Sequence, residues 1–173
     1  GTIRLWDAAP LVGEEGRGRL TLEHPLEVSA MDVSHDGSLL ASGVGFPEKS
    51  GEIAPAFVWE TATGRRIQTL PDHAVFVFSL AFSPDGRFLA STGDDADRPP
   101  GFNTVKVWDL KAGKEAFQTE PFSGFGTVLF SVAYSPDSRR IVAAGQDKKL
   151  KVWDAATGRK IGIMGEHDRN VFN

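Results

Sequence analysis

Four histidines and one run of aspartates are the side chains most able to do chemistry in this sequence: His24, His35, His73 and His167, and Asp94, Asp95 and Asp97. No two of the histidines stand at metal-ligand spacing. Clustered carboxylates can hold calcium, but Pro99-Pro100 follow at once. No glycine and distal glutamate occupy the offsets of a calcium-binding loop, so a solvated acidic loop is the favoured reading. There is no cysteine, which excludes disulfides and thiol chemistry. The residues do not assemble a catalytic centre; the recurring aromatic residues carry more information.

All four tryptophans sit in one phrase: Leu5-Trp6-Asp7, Val58-Trp59-Glu60, Val107-Trp108-Asp109 and Val152-Trp153-Asp154. Their separations are 53, 49 and 45 residues, a loosely kept period that points to a propeller or solenoid. A second phrase recurs between them: Ser34-His35-Asp36-Gly37, Ser83-Pro84-Asp85-Gly86 and Ser135-Pro136-Asp137-Ser138. Proline presets φ, aspartate bonds its own backbone and glycine accepts positive φ, so each phrase is a tight turn. Apolar runs flank each one: Val28 to Val33, Phe76 to Phe82 and Val128 to Tyr134 before it, Leu39 to Ala41, Phe88 to Ala90 and Ile141 to Ala143 after it. Strand, turn, strand is the signature of a hairpin. The Trp strand follows, then a second turn (61–64, 111–113, 155–158) and a short fourth strand. Four strands per repeat, with no helical segment long enough to cover a sheet, predict an all-β chain.

On these two phrases the chain resembles the WD-repeat (WD40) family of β-propellers over essentially its whole length. The resemblance implies four-stranded antiparallel blades packed around a channel in an open, incomplete ring. Residues 1–23 then form a half blade, 24–72, 73–124 and 125–166 three blades, and 167–173 the start of another. Both ends break within a blade, so the expected whole is a longer propeller of about seven blades, with a ring closed by two copies as the competing reading.

The family carries a buried tetrad of His, Ser or Thr, Asp and Trp, which gives imidazole and indole N–H groups their partners. By offset, the first blade has His24, Ser42 and Trp59 with Ile53 at the Asp place. The second has His73, Ser91 and Trp108 with Phe102 there, and the third has Asp147 and Trp153 with Phe125 and Ala143 for His and Ser. His24 and His73 are therefore expected to be structural, and no Ser–His–Asp catalytic arrangement is implied beyond that network.

The resemblance also implies where partners bind. The Asp is lost where the connection between second and third strands has lengthened, at 43–55 and 93–103, and long loops in compact repeats are usually functional or disordered. Phe46 and Phe102 lie in these connections. Aligning the first strands places Ser29, Phe78, Phe130 and Phe172 near the channel mouth on the same face, an apolar anchor site if the aromatics are not consumed by packing between blades. A third feature is the cation-rich last repeat, with Arg139, Arg140, Lys148, Lys149, Lys151, Arg159 and Lys160. Solvated strand faces are the favoured reading, and a patch for an acidic partner is the sharper one.

Composition bounds the rest. The chain is 40% hydrophobic with a net charge of −4, so nucleic acid gains no global attraction. No apolar stretch approaches the ~20 residues of a membrane span, and no signal segment opens the chain. The expected function is a non-enzymatic protein-interaction scaffold, cytoplasmic, without cofactor or metal, in a larger regulatory or signalling protein. Its partner is a protein, with self-association through open blade edges also in view. The alternatives are a propeller hydrolase with a site at the channel mouth, or a repeat tail on a bacterial kinase-type protein.

Overall fold

A computed structural model describes residues 2–5, 20–24, 27–45, 55–70, 76–94, 103–119 and 128–166. They form antiparallel strands, with no helix among the described residues. β1 (Thr2–Leu5) pairs with β2 (Leu20–Glu23). Three meanders follow: β3 (Val28–Val33), β4 (Leu39–Val44), β5 (Ala56–Glu60) and β6 (Arg66–Leu70); β7 (Val77–Phe82), β8 (Phe88–Asp94), β9 (Asn103–Asp109) and β10 (Lys114–Gln118); β11 (Leu129–Tyr134), β12 (Arg140–Gly145), β13 (Lys149–Asp154) and β14 (Lys160–Glu166). Each meander is a four-stranded sheet in chain order. The first strands lie side by side, β3 on β7 and β7 on β11, so the sheets stack as blades along an unclosed arc.

The turn phrases fold as their chemistry dictates. Ser34 Oγ donates to Asp36 Oδ1 at 2.7 Å, and the same carboxylate accepts the N–H of Ser38 at 3.0 Å. Ser83 with Asp85 and Ser135 with Asp137 repeat the bond. Gly37 and Gly86 take positive φ, and Ser138 does so in the third turn. Ser138 compensates with a bond between blades, its Oγ accepting from Asp85 N at 3.2 Å. The Ser34 hydroxyl, then Ser38, pull the Asp36 carboxyl down to about 2. Asp137 is lowered chiefly by Ser135, Asp154 by Thr157 and Asp109 by the Ala112 N–H.

Strand alternation gives every blade two apolar faces. Leu40 pairs with Trp59, Leu89 with Trp108 and Ile141 with Trp153, so these share a face turned to the preceding blade. Ala41, Val58 and Ala90, Val107 lie on the other face. The clusters follow this parity: Trp59 packs with Ile3 and Leu22, Trp108 with Ala41 and Val58, Trp153 with Ala90 and Val107. Met31 tests the rule. Its counterparts Leu80 and Val132 are 6% and 5% exposed against the blade before them. Met31 is 56% exposed, because the described part of the sheet before it has two strands only.

Blade contact is close enough to forbid a methyl group at Gly43, where an added Cβ would stand 2.6 Å from Val77 Cβ on the next blade. Gly37 is the contrasting case: φ is +72°, yet nothing lies within 4 Å of an added Cβ. Gly43→Ala is expected to cost about 2–3 kcal/mol through overpacking, and Gly37→Ala about 1–2 kcal/mol through the backbone alone. Urea midpoints of the two variants check this, and equal losses would refute it. The turn carboxylates set a pH dependence. Their folded pKa values lie below the unfolded ones, so their stabilisation is present above about pH 4 and lost as pH falls toward 2. The thermal midpoint should hold from about pH 7 to about 5 and then fall, less steeply in Asp36→Asn; an unchanged slope in that variant would contradict the assignment.

Candidate functional site

The first tryptophan network centres on one serine hydroxyl. His24, at the end of β2, is buried, and its Nε2 lies 3.1 Å from Ser42 Oγ. Trp59 Nε1 donates to that same oxygen at 2.8 Å. The imidazole meets the Phe57 ring edge-on at 5.1 Å, and the Arg66 guanidinium lies 4.9 Å over Phe57. Ser42 is wholly buried between two rings, so it has no approach for a substrate. A cleft of about 540 Å³ lined by Glu23, His24, Trp59 and Arg66 opens beside the network. On its wall the indole N–H and the imidazole Nε2 both bond Ser42.

The other blades vary the same theme. Trp108 Nε1 donates to Ser91 Oγ at 3.0 Å, while His73, Phe102 and Ile53 lie outside the described residues. In the last blade Asp147 pairs with Lys151 Nζ and accepts the N–H of Lys149 at 3.3 Å. Lys151 corrects the expectation of a solvated cation, since it is 2% exposed. It stands two residues before Trp153, and period two places both on the packed face. Burial pushes its ammonium pKa down and Asp147 pulls against that shift. Phe125, at the His place, lies outside the described residues.

The aromatic rim has a geometry that residue spacing did not reveal. The first strands of all three blades carry a β-bulge at one place, between Val28 and Ala30, Val77 and Ser79, and Leu129 and Ser131. The extra residues are Ser29, Phe78 and Phe130. A bulge leaves one residue unpaired and re-aims its side chain. Phe78 and Phe130 are half-buried and meet edge-to-face across two blades at 6.0 Å. Phe76 stacks on Phe78 at 4.6 Å; sequence reasoning treated it as strand start only, although Phe-x-Phe beside the bulge was a usable signal. Ser29 Oγ donates to Val77 O at 2.7 Å, which ties this rim across the first interface.

Register also locates the long connections. Val28 stands opposite Val44 and Val77 opposite Gly93, so the segments after β4 and β8 leave from the bulged end of the sheets. Asp94 belongs to β8 and pairs with Asn103, so the strands run further into the second connection than expected. Asp95, Asp97, Phe46, His167 and Phe172 lie outside the described residues, as does Trp6. Among the described residues no group of three His, Asp or Glu could hold a metal ion.

Stacked four-stranded antiparallel meanders define a β-propeller architecture. Within it the repeats are WD repeats: the family described as "WD domain, G-beta repeat" matches residues 64–97 and 118–154. The chain is 29% identical to nuclear distribution protein PAC1 of Arthroderma benhamiae, over 96% of this chain and 38% of that protein. It is 31% identical to WD repeat-containing protein SL1-17 of Schistosoma mansoni, over 80% and 54% respectively. Elongator complex protein 2 of Rattus norvegicus is 28% identical over 75% of this chain and 16% of that protein. The chain thus spans between about a sixth and just over half of these relatives' lengths. Among solved structures, the WD40 repeats of RRP9 superpose with a TM-score of 0.67 at 20% identity, covering 86% of this chain and 41% of that one. That likeness shows the fold.

Ser42 serves two rings, so its loss orphans two buried polar groups. Ser42→Ala is expected to destabilise by about 2–3 kcal/mol, read by chemical denaturation with Trp fluorescence. A loss under about 0.5 kcal/mol would mean that the shared bond carries no weight.

Proposed function

We propose that this chain is a non-enzymatic protein-interaction scaffold of a larger regulatory protein, and that the bulged rim of its inner strands receives the partner. WD-repeat proteins typically serve as protein-interaction scaffolds, and an Elongator complex subunit is among the relatives. The observation that carries the reading is the Phe78–Phe130 pair, lifted out of the ladder by matching bulges and left half-exposed. Aromatic side chains so held lose little entropy on binding and dominate interface hot spots. The described Ser–His pair supports the non-enzymatic reading, because Ser42 is sealed between His24 and Trp59.

The double variant Phe78→Ser/Phe130→Ser tests the rim. Quantitative affinity capture with this variant, compared with the unaltered chain, should lose the specific partner by at least about tenfold. Circular dichroism and Trp fluorescence should stay unchanged. A folded variant that recovers the same partners in the same amounts would refute the rim as the site.

A further inference from the structure

We infer that the turn end of the 125–166 blade is a second docking surface, one that takes an acidic segment of a protein partner. The seven cations of this repeat divide in the fold. Lys148 and Lys149 lie at the bulged end and Lys151 is buried against Asp147. Arg139, Arg140, Arg159 and Lys160 gather at the opposite end, all exposed. Backbone pairing holds them there: Arg140 stands opposite Asp154 and Lys160 opposite Trp153. Asp154 N donates to Arg159 O and Ala155 N to Arg139 O, each at 2.9 Å. The end of β13 is therefore surrounded by cations on both neighbouring chains of backbone.

The carboxylates at this end are anchored by the turns. Asp137 accepts from Ser135 Oγ and the Arg139 N–H. Asp154 accepts from the Thr157 hydroxyl and from the N–H groups of Ala156 and Thr157. These bonds hold each carboxylate at its own turn, where Asp137 acts on Arg139 and Asp154 on Arg159, and the four exposed cations outnumber the two carboxylates. The surface continues onto the neighbouring blade, because the Ser138–Asp85 bond sets the two turns side by side. Arg87, which is exposed and paired with Asp109 at 3.4 Å, joins the row from that blade.

An acidic peptide fits this surface better than a nucleic acid. Arginine forks bind carboxylates bidentately, and a cationic corner on a chain of net charge −4 steers an acidic segment to one place. A polyphosphate backbone depends on many neutralised phosphates, more than the few cations of this corner supply. The aromatic ring beside these cations, Phe88, has the Arg87 guanidinium 4.8 Å over it and packs against the core, so it is not open to stack a base.

A fluorescein-labelled polyglutamate peptide, titrated into the full chain and followed by anisotropy, tests the surface. Binding should weaken with added salt, and Arg139→Glu/Arg140→Glu should weaken it about tenfold or more. Lys148→Glu/Lys149→Glu, at the other end of the same sheet, should change it less than about twofold. The rim variant Phe78→Ser/Phe130→Ser should leave it intact, which separates this surface from the aromatic one. If Arg139→Glu/Arg140→Glu does not retain native circular dichroism, Arg139→Gln/Arg140→Gln replaces it. Equal weakening by the two charge-reversal pairs, no binding, or tighter binding of a labelled single-stranded RNA oligonucleotide would each overturn the inference.

Discussion

Packing of one blade's Trp face on the next blade's small-residue face is the interaction on which the rest depends. A four-stranded sheet of such short strands has two apolar faces and no helix among the described residues to cover either, so each blade is stable only through its neighbours. The division of labour is consistent along the chain. Leu40 and Trp59, Leu89 and Trp108, and Ile141 and Trp153 look one way; Ala41 with Val58 and Ala90 with Val107 look the other. Large residues meet small ones at every interface, which lets the sheets approach until Val77 lies against the bare Cα of Gly43. A buried indole contributes more here than any single polar contact, of the order of 3–5 kcal/mol against truncation to Ala.

The polar network around each Trp is subordinate to that packing and is rebuilt from blade to blade. The indole N–H finds a serine hydroxyl in two blades, at 2.8 and 3.0 Å. In the third, Ala143 stands where the serine would be, and Trp153 is nonetheless wholly buried in an apolar cluster of the same kind. That blade carries the Lys151–Asp147 pair two residues up the same face. Lys151 thus takes the place of Phe57 in the first blade, standing opposite Ala143 as Phe57 stands opposite Ser42. Imidazole, serine or ammonium can each satisfy a buried acceptor or donor, whereas no smaller residue can replace the indole volume. This ordering explains why the four Trp phrases persist in the sequence while the His, Ser and Asp positions drift.

Much of this was legible in the residues, and the gaps have physical causes. Turn chemistry and the Trp phrases located most strands of the three meanders to within a residue or two, because proline, aspartate and glycine act locally. β4 and β8 run on past the expected Ala41 and Ala90 to Val44 and Asp94. The bulges were not legible: a bulge is a count of two residues against one across a pair of strands, and a single strand does not display its partner's register. Ser29, Phe78 and Phe130 could be aligned as equivalents, but their lifting out of the ladder could not be foreseen. Lys151 was misread for a different reason. Charge suggested solvent, while parity with Trp153 dictated the interior, and parity prevailed because Asp147 supplies a counter-ion.

Stacking also decides where chemistry can be displayed. Both faces of an interior blade are consumed by neighbours, so the two ends of the strands and the outer strand edge remain for recognition. At one end the bulges free a side chain from the ladder, and the residues found there are Phe78 and Phe130, apolar enough to bridge two blades and exposed enough to meet a third party. At the other end each tight turn holds an exposed carboxylate, with Asp36, Asp85 and Asp137 each bonded to the serine two residues before it. Exposed cations stand beside these carboxylates in two of the blades, as Arg87, Arg139 and Arg140 illustrate. A single requirement, that every blade be covered on both faces, therefore leaves an aromatic end and a charged turn end exposed.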